Sequence, residues 1–129
     1  MELCDLSAYE MSRMVRQREV SATEILRSCL DRIARVDGRP GSLNPGEITE
    51  EDRQRVHAFL NVTEERALQQ AQAVDQKIAA GEDPGLLAGV PVTVKDLFCV
   101  KDTLTTAASR ILSNFRAPYT ATPVARMED

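Results

Sequence analysis

At 129 residues the chain has the length of one ordinary domain and leaves no room for two large ones. Hydrophobic residues at 43% and charged residues at 28% lie near the globular average, which excludes a chain disordered throughout. A net charge of −4 argues against nucleic acid or an anionic membrane as a direct partner of this segment. Aromatic residues are scarce and Trp is absent, so a core must come from Leu, Val, Ile, Ala and Met. The three cysteines, Cys4, Cys29 and Cys99, are odd in number, widely spaced and form no CxxC pair. With His57 as the only histidine, they point to reduced thiols rather than to a zinc site or a disulfide framework. The first twenty residues mix charges without a continuous apolar run, so neither a signal peptide nor a membrane span is expected. The expected location is the cytoplasm.

In chain order, two helix starts carry the same device. Ser7-Ala8-Tyr9-Glu10 and Ser21-Ala22-Thr23-Glu24 both fit a capping box, in which serine and glutamate satisfy each other's orphan backbone donors. Behind the first, Leu6, Met11, Met14 and Val15 share a face. Behind the second, Ile25, Leu26, Cys29, Leu30 and Ile33 form an amphipathic row running toward Gly38. The short turn around Glu19–Ser21 makes an antiparallel helical hairpin the expectation. The segment "GRPGSLNPG" (38–46) reads as a loop, and residues 38–55 as an insertion in which "ITEED" opens a short helix. In "VHAFLNV", Val56, Ala58, Leu60 and Val62 alternate as in a strand. A third helix is predicted over Thr63–Ala80, with Ala67, Ala71, Val74 and Ile78 inward and Gly81 at its end. After "GEDPG", the valines of "AGVPVTVKD" (Val90, Val92, Val94) alternate as a second strand. A threonine-rich turn follows, then one or two helical turns in "AASRILSN" and a helix from about Thr122 with Pro123 in its first turn. This order predicts an α/β chain whose strands and helices belong to an incomplete mixed sheet, because two strands do not close a sheet alone. Residues 1–129 are thus expected to be one portion of a single domain that looks unfinished at its end.

The chemistry concentrates after the second strand, where Lys95 and Asp96 stand. A solvated position at a strand end, or an ion pair with Asp96, is the plain alternative for Lys95. Against it stands the composition: of sixteen basic residues only Lys77, Lys95 and Lys101 are lysine. Arginine keeps its proton, whereas a desolvated lysine can have its pKa drawn from about 10.4 toward neutrality and act as a base. His57, without a carboxylate or cysteine motif beside it, reads as an ordinary core-edge histidine. Cys99 reads as a small hydrophobe, though its closeness in sequence to Lys95 leaves a reactive thiol open.

The stretch "LAGVPVTVKDLFCV", followed by "LTTAAS" at Leu104–Ser109, resembles the amidase signature family, whose pattern is Gly-x-Pro-x-x-x-Lys-Asp and then Thr-Thr-Ala-(Gly/Ala)-Ser. "HAFLNVTEERALQQAQAVD" before it and "SRILSNFRAPYTAT" after it are most similar to the A-subunit branch of the aminoacyl-tRNA amidotransferases. The likeness covers nearly the whole chain outside 38–55. It implies the N-terminal part of the amidase signature fold and, for Lys95, the role of base in a Ser-Ser-Lys triad, acting through a bridging serine on the nucleophile. Asp96, Thr105, Thr106 and Ser109 would then position the loop near the site. The family's serine-glycine run has no counterpart among Ser7, Ser12, Ser21, Ser28, Ser42, Ser109 and Ser113, so this chain alone is expected to be inactive. Departures from the pattern are Leu97 for Asn, Asp102 for Gly, Thr120 for Asp and Pro123 for an apolar residue.

The implied activity is glutamine hydrolysis, with ammonia passed on to amidate Glu-tRNA(Gln) or Asp-tRNA(Asn). The B and C subunits of the amidotransferase would be the partners, and tRNA would be met only through them. No cofactor and no metal is expected in this chain, since ATP and Mg belong to a partner protein. The alternatives are a fragment of a stand-alone amidase acting on small amides and a truncated, non-catalytic interaction module docking through its helices.

Overall fold

The computed structural model describes residues 2–129. Its α-helices are α1 (Ala8–Arg16), α2 (Ala22–Val36), α3 (Glu50–Arg53), α4 (Glu64–Ala80) and α5 (Thr122–Glu128), with short 3-10 turns at Leu3–Asp5, Pro45–Glu47 and Arg110–Leu112. The chain divides into two compact units. One holds the residues up to Ile33 with Thr63–Val92, the other Ala34–Val62 with Thr93–Asp129. No described helix is long and apolar enough to cross a membrane.

In the first unit both expected capping boxes form. Ser7 Oγ accepts from the Glu10 N–H and the Glu10 carboxylate accepts from the Ser7 N–H. Ser21 and Glu24 repeat the exchange at 2.9 and 3.1 Å. The Asp75 carboxylate of α4 adds a second cap to α2, accepting from the Ala22 and Thr23 N–H groups at 2.7 and 3.2 Å. These bonds fix where α1, α2 and α4 present their apolar rows. Met11, Val15, Ala22, Ile25, Leu26, Ala71 and Ala88 form the core, flanked by Leu3, Cys29, Ala67, Val74 and Ile78. Ile25 and Val15 are fully buried, each contributing about 1.5–3 kcal/mol relative to exposure. At the other end of α4, Gly81 takes the left-handed conformation and closes the helix as expected. Gly89 has φ +72, and a Cβ there would stand 2.8 Å from Val15 Cγ2. The glycine of the motif is therefore a packing requirement: the backbone passes directly over α1.

The second unit is pinned by two aspartates. Buried Asp37 accepts from the Ala58 and Phe59 N–H groups at 2.6 and 3.1 Å. Buried Asp52 caps α3 through Thr49 and takes the Arg39 guanidinium on both oxygens, at 2.9 and 2.6 Å. Arg39 also donates to the Glu47 carbonyl, so the segment expected to be an insertion is a hydrogen-bonded loop with its own helix.

Two expected strands are corrected. His57 has φ +51, which breaks the alternation of Val56–Val62, and this segment bonds to the neighbouring loop instead, Gly41 N–H donating to the Phe59 carbonyl. Over Val90–Val94 the chain forms no ladder: Pro91 lacks a donor and Val92–Val94 find no backbone partner among the described residues. Val92 and Val94 are accordingly exposed at 47% and 37%. The expected mixed sheet is reduced, among the described residues, to an isolated antiparallel bridge between Leu104 and Arg116.

Candidate functional site

The motif loop is organised around one carboxylate. Asp96 accepts from the Thr106 N–H at 2.9 Å, from the Thr106 hydroxyl, and from the Ala108 N–H at 3.4 Å. Its own carbonyl accepts from the Ala107 N–H at 2.8 Å. The chain reaches this arrangement by turning through two consecutive left-handed residues, Ala107 (φ 47) and Ala108 (φ 57). The Thr106 and Ala108 N–H groups thus converge on the carboxylate while the Ala107 N–H between them takes the Asp96 carbonyl, a small concave donor set of the kind that suits an anion. The anion here is the chain's own side chain.

Behind Asp96 the threonines are buried, Thr105 at 5% and Thr106 at 6% exposure. The Thr105 N–H donates to the Phe115 carbonyl at 3.0 Å, and the Ser109 N–H to the Thr106 carbonyl at 2.8 Å. The turn before them is closed by Asp102 (φ 64), whose N–H donates to the Ala117 carbonyl at 2.8 Å and whose carbonyl accepts from Arg116. Asp102 thus adopts the glycine-like angle that its place in the motif calls for.

Lys95 is exposed, and its ammonium makes no hydrogen bond or ion pair among the described residues. Its carbonyl accepts from the Phe98 N–H at 2.9 Å, which fixes the backbone while leaving the side chain unengaged. The ion pair with Asp96 considered from the sequence is absent, because that carboxylate is committed to Thr106 and Ala108. Asp96, Thr105, Thr106 and Ser109 are joined through hydrogen bonds of one loop. Lys95 joins them only through the chain. Cys99 is half-buried, and its thiol beside the Tyr119 phenol raises the Tyr119 pKa. The sequence reading missed the Ala107–Ala108 turn; the signal for it was the family's Gly/Ala tolerance at position 108. Among the described residues no group of His, Cys, Asp or Glu side chains could hold a metal ion.

Comparison with known proteins agrees with these motifs. Residues 48–129 match the family model described as Amidase. Curated relatives described as the A subunit of glutamyl-tRNA(Gln) amidotransferase include those of Thermobifida fusca, 46% identical over 99% of this chain, and Gloeobacter violaceus, 48% identical over 93%. That of Pelobacter propionicus is 41% identical over 99%. The chain spans about 22% of the length of these relatives. A solved structure is similar at a TM-score of 0.77 and 28% identity, covering 95% of this chain and 24% of the other. It is described as an unexpected vestigial protein complex that reveals the evolutionary origins of an s-triazine catabolic enzyme.

Proposed function

The chain belongs to the amidase family, and on that premise we propose that it is the N-terminal, lysine-bearing part of the glutamine-hydrolysing A subunit of an amidotransferase. The observation that carries this reading is the identity of 41–48% along nearly the whole chain to relatives of that one description. Lys95 is the triad base. It takes the nucleophile's proton through a bridging serine and returns it to the leaving ammonia, while Asp96, Thr105, Thr106 and Ser109 hold the loop that presents it. A lysine serves as base only when neutral, and enclosure favours the neutral form. Since Lys95 is exposed here, the enclosing walls and both serines are assigned to the length of the relatives that this chain does not span. The unpaired run Val92–Val94 gains its ladder partners there too, which restores the mixed α/β sheet.

The B and C subunits are the partners, ATP and Mg stay with the partner, tRNA is met only through it, and the setting is the cytoplasm. A second reading is part of a stand-alone amidase acting on small amides; the solved neighbour is described in terms of the origins of an s-triazine catabolic enzyme, outside tRNA amidation. In either case the 129-residue chain by itself hydrolyses neither glutamine nor small amides. An assay of the purified chain checks this: hydrolysis that disappears in Lys95→Ala would overturn it, and would equally exclude the role of a non-catalytic interaction module.

A further inference from the structure

Lys95 and Asp96 are neighbours in the chain, yet they do not pair. The Asp96 carboxylate is drawn away into the turn that follows. Its Oδ1 accepts from the Thr106 N–H at 2.9 Å, and its Oδ2 takes the Thr106 hydroxyl and, at 3.4 Å, the Ala108 N–H. Three donors thus occupy most of the acceptor sites that an ionised carboxylate offers. The Thr106 side chain is buried, and its hydroxyl is itself oriented, since the oxygen accepts from the Ala108 N–H at 3.2 Å. The left-handed pair Ala107 and Ala108 brings these donors round. Backbone strain of this kind persists where the surrounding structure holds it, and it gathers at functional sites. The other charged side chains of this stretch, Lys101, Asp102 and Arg110, are exposed and bond to neither Asp96 nor Lys95 among the described residues, and Arg116 donates to the Asp102 carbonyl.

We propose that Thr106 is a positioning residue that acts through Asp96: by holding the carboxylate in the turn, it withholds from Lys95 the counter-ion that stands next to it in the chain. The inference rests on the reading of Lys95 as the base. A carboxylate paired with an ammonium favours the charged form. A charged lysine has no lone pair with which to take a proton. Asp96 therefore organises the loop without becoming a partner that would silence the base, because its oxygens are engaged by Thr106 and Ala108. Without the Thr106 hydroxyl, Oδ2 keeps only the long bond to Ala108 and is free to turn to the neighbouring ammonium.

The test is a titration of the full chain, whose lysines are only Lys77, Lys95 and Lys101. Its amines are methylated with isotope-labelled formaldehyde and followed by NMR, the Lys95 signal being identified by its loss in Lys95→Arg. Thr106→Val is expected to move the Lys95 titration to higher pH by about 0.2–0.7 of a pH unit, the size of an exposed ion pair, while Lys77 and Lys101 stay in place. Thr106→Ser keeps the hydroxyl and is expected to titrate as the parent does. Asp96→Asn in the Thr106→Val background is expected to abolish the displacement. An unmoved Lys95 titration in a Thr106→Val chain of parental helicity by circular dichroism would overturn the proposal, as would a displacement that persists in the double variant. Where Thr106→Val lacks that helicity, Thr106→Ala makes the same comparison. In a chimera with the Thermobifida fusca relative, Thr106→Val is expected to move upward the pH at which kcat/KM rises. A uniform loss at every pH would show a structural role alone and count against the proposal. The titration does not depend on catalysis, so its failure is distinct from that of the base reading, which falls if glutamine hydrolysis by the chimera survives Lys95→Ala.

Discussion

Ala107 and Ala108 sit at positive φ, where an L side chain is strained by roughly 1–2 kcal/mol per residue. That strain is held in place by the bonds of Asp96 to Thr106 and Ala108. Ala108→Gly is therefore expected to raise stability by about 0.5–1 kcal/mol, read as an increased midpoint of urea unfolding. Thr106→Val removes the hydroxyl donor from a carboxylate in a buried setting and is expected to lower stability by about 1–3 kcal/mol in the same measurement. That Asp96, Thr106 and Ser109 belong to one loop was legible from the motif the chain resembles, and hydrogen bonds join them there. The left-handed alanines were not: alanine favours helices, and only tertiary bonds to Asp96 force it through φ near +50°.

At the scale of elements, the helices were legible because their signals are local. Ser and Glu three residues apart form the caps, apolar rows set the buried faces, and glycine ends α4. The strands were not, since a ladder needs a partner distant in sequence and alternation alone supplies none. Gly89 shows how tightly the elements fit. Gly89→Ala would place a methyl 2.8 Å from Val15 and 3.1 Å from Ala22 at a left-handed position, and a loss of about 2–5 kcal/mol in thermal or urea unfolding is expected. The 38–55 loop makes a pH prediction. The Arg39 guanidinium first, then the Thr49 N–H, hold the Asp52 carboxyl well below the usual carboxylate range. Because the folded pKa is depressed, its contribution is complete above the unfolded value of about 4 and is lost as pH falls through the folded value. Arg39→Met is thus expected to begin acid unfolding at higher pH than the parent when followed by circular dichroism, the two converging once Asp52 is protonated in both. Identical acid transitions would contradict the role given to this pair.

For the whole molecule, the family was legible from separate motifs in the right order, and the chain spans about 22% of the length of the relatives it matches. The most direct measurement is glutamine hydrolysis by a chimera in which these 129 residues replace the matching segment of the Thermobifida fusca relative. The account predicts an active chimera whose kcat falls by about 10²–10⁴-fold in Lys95→Ala, and is not rescued by Lys95→Arg, since arginine keeps its proton. A Lys95→Ala chimera that retains the parent kcat would contradict it.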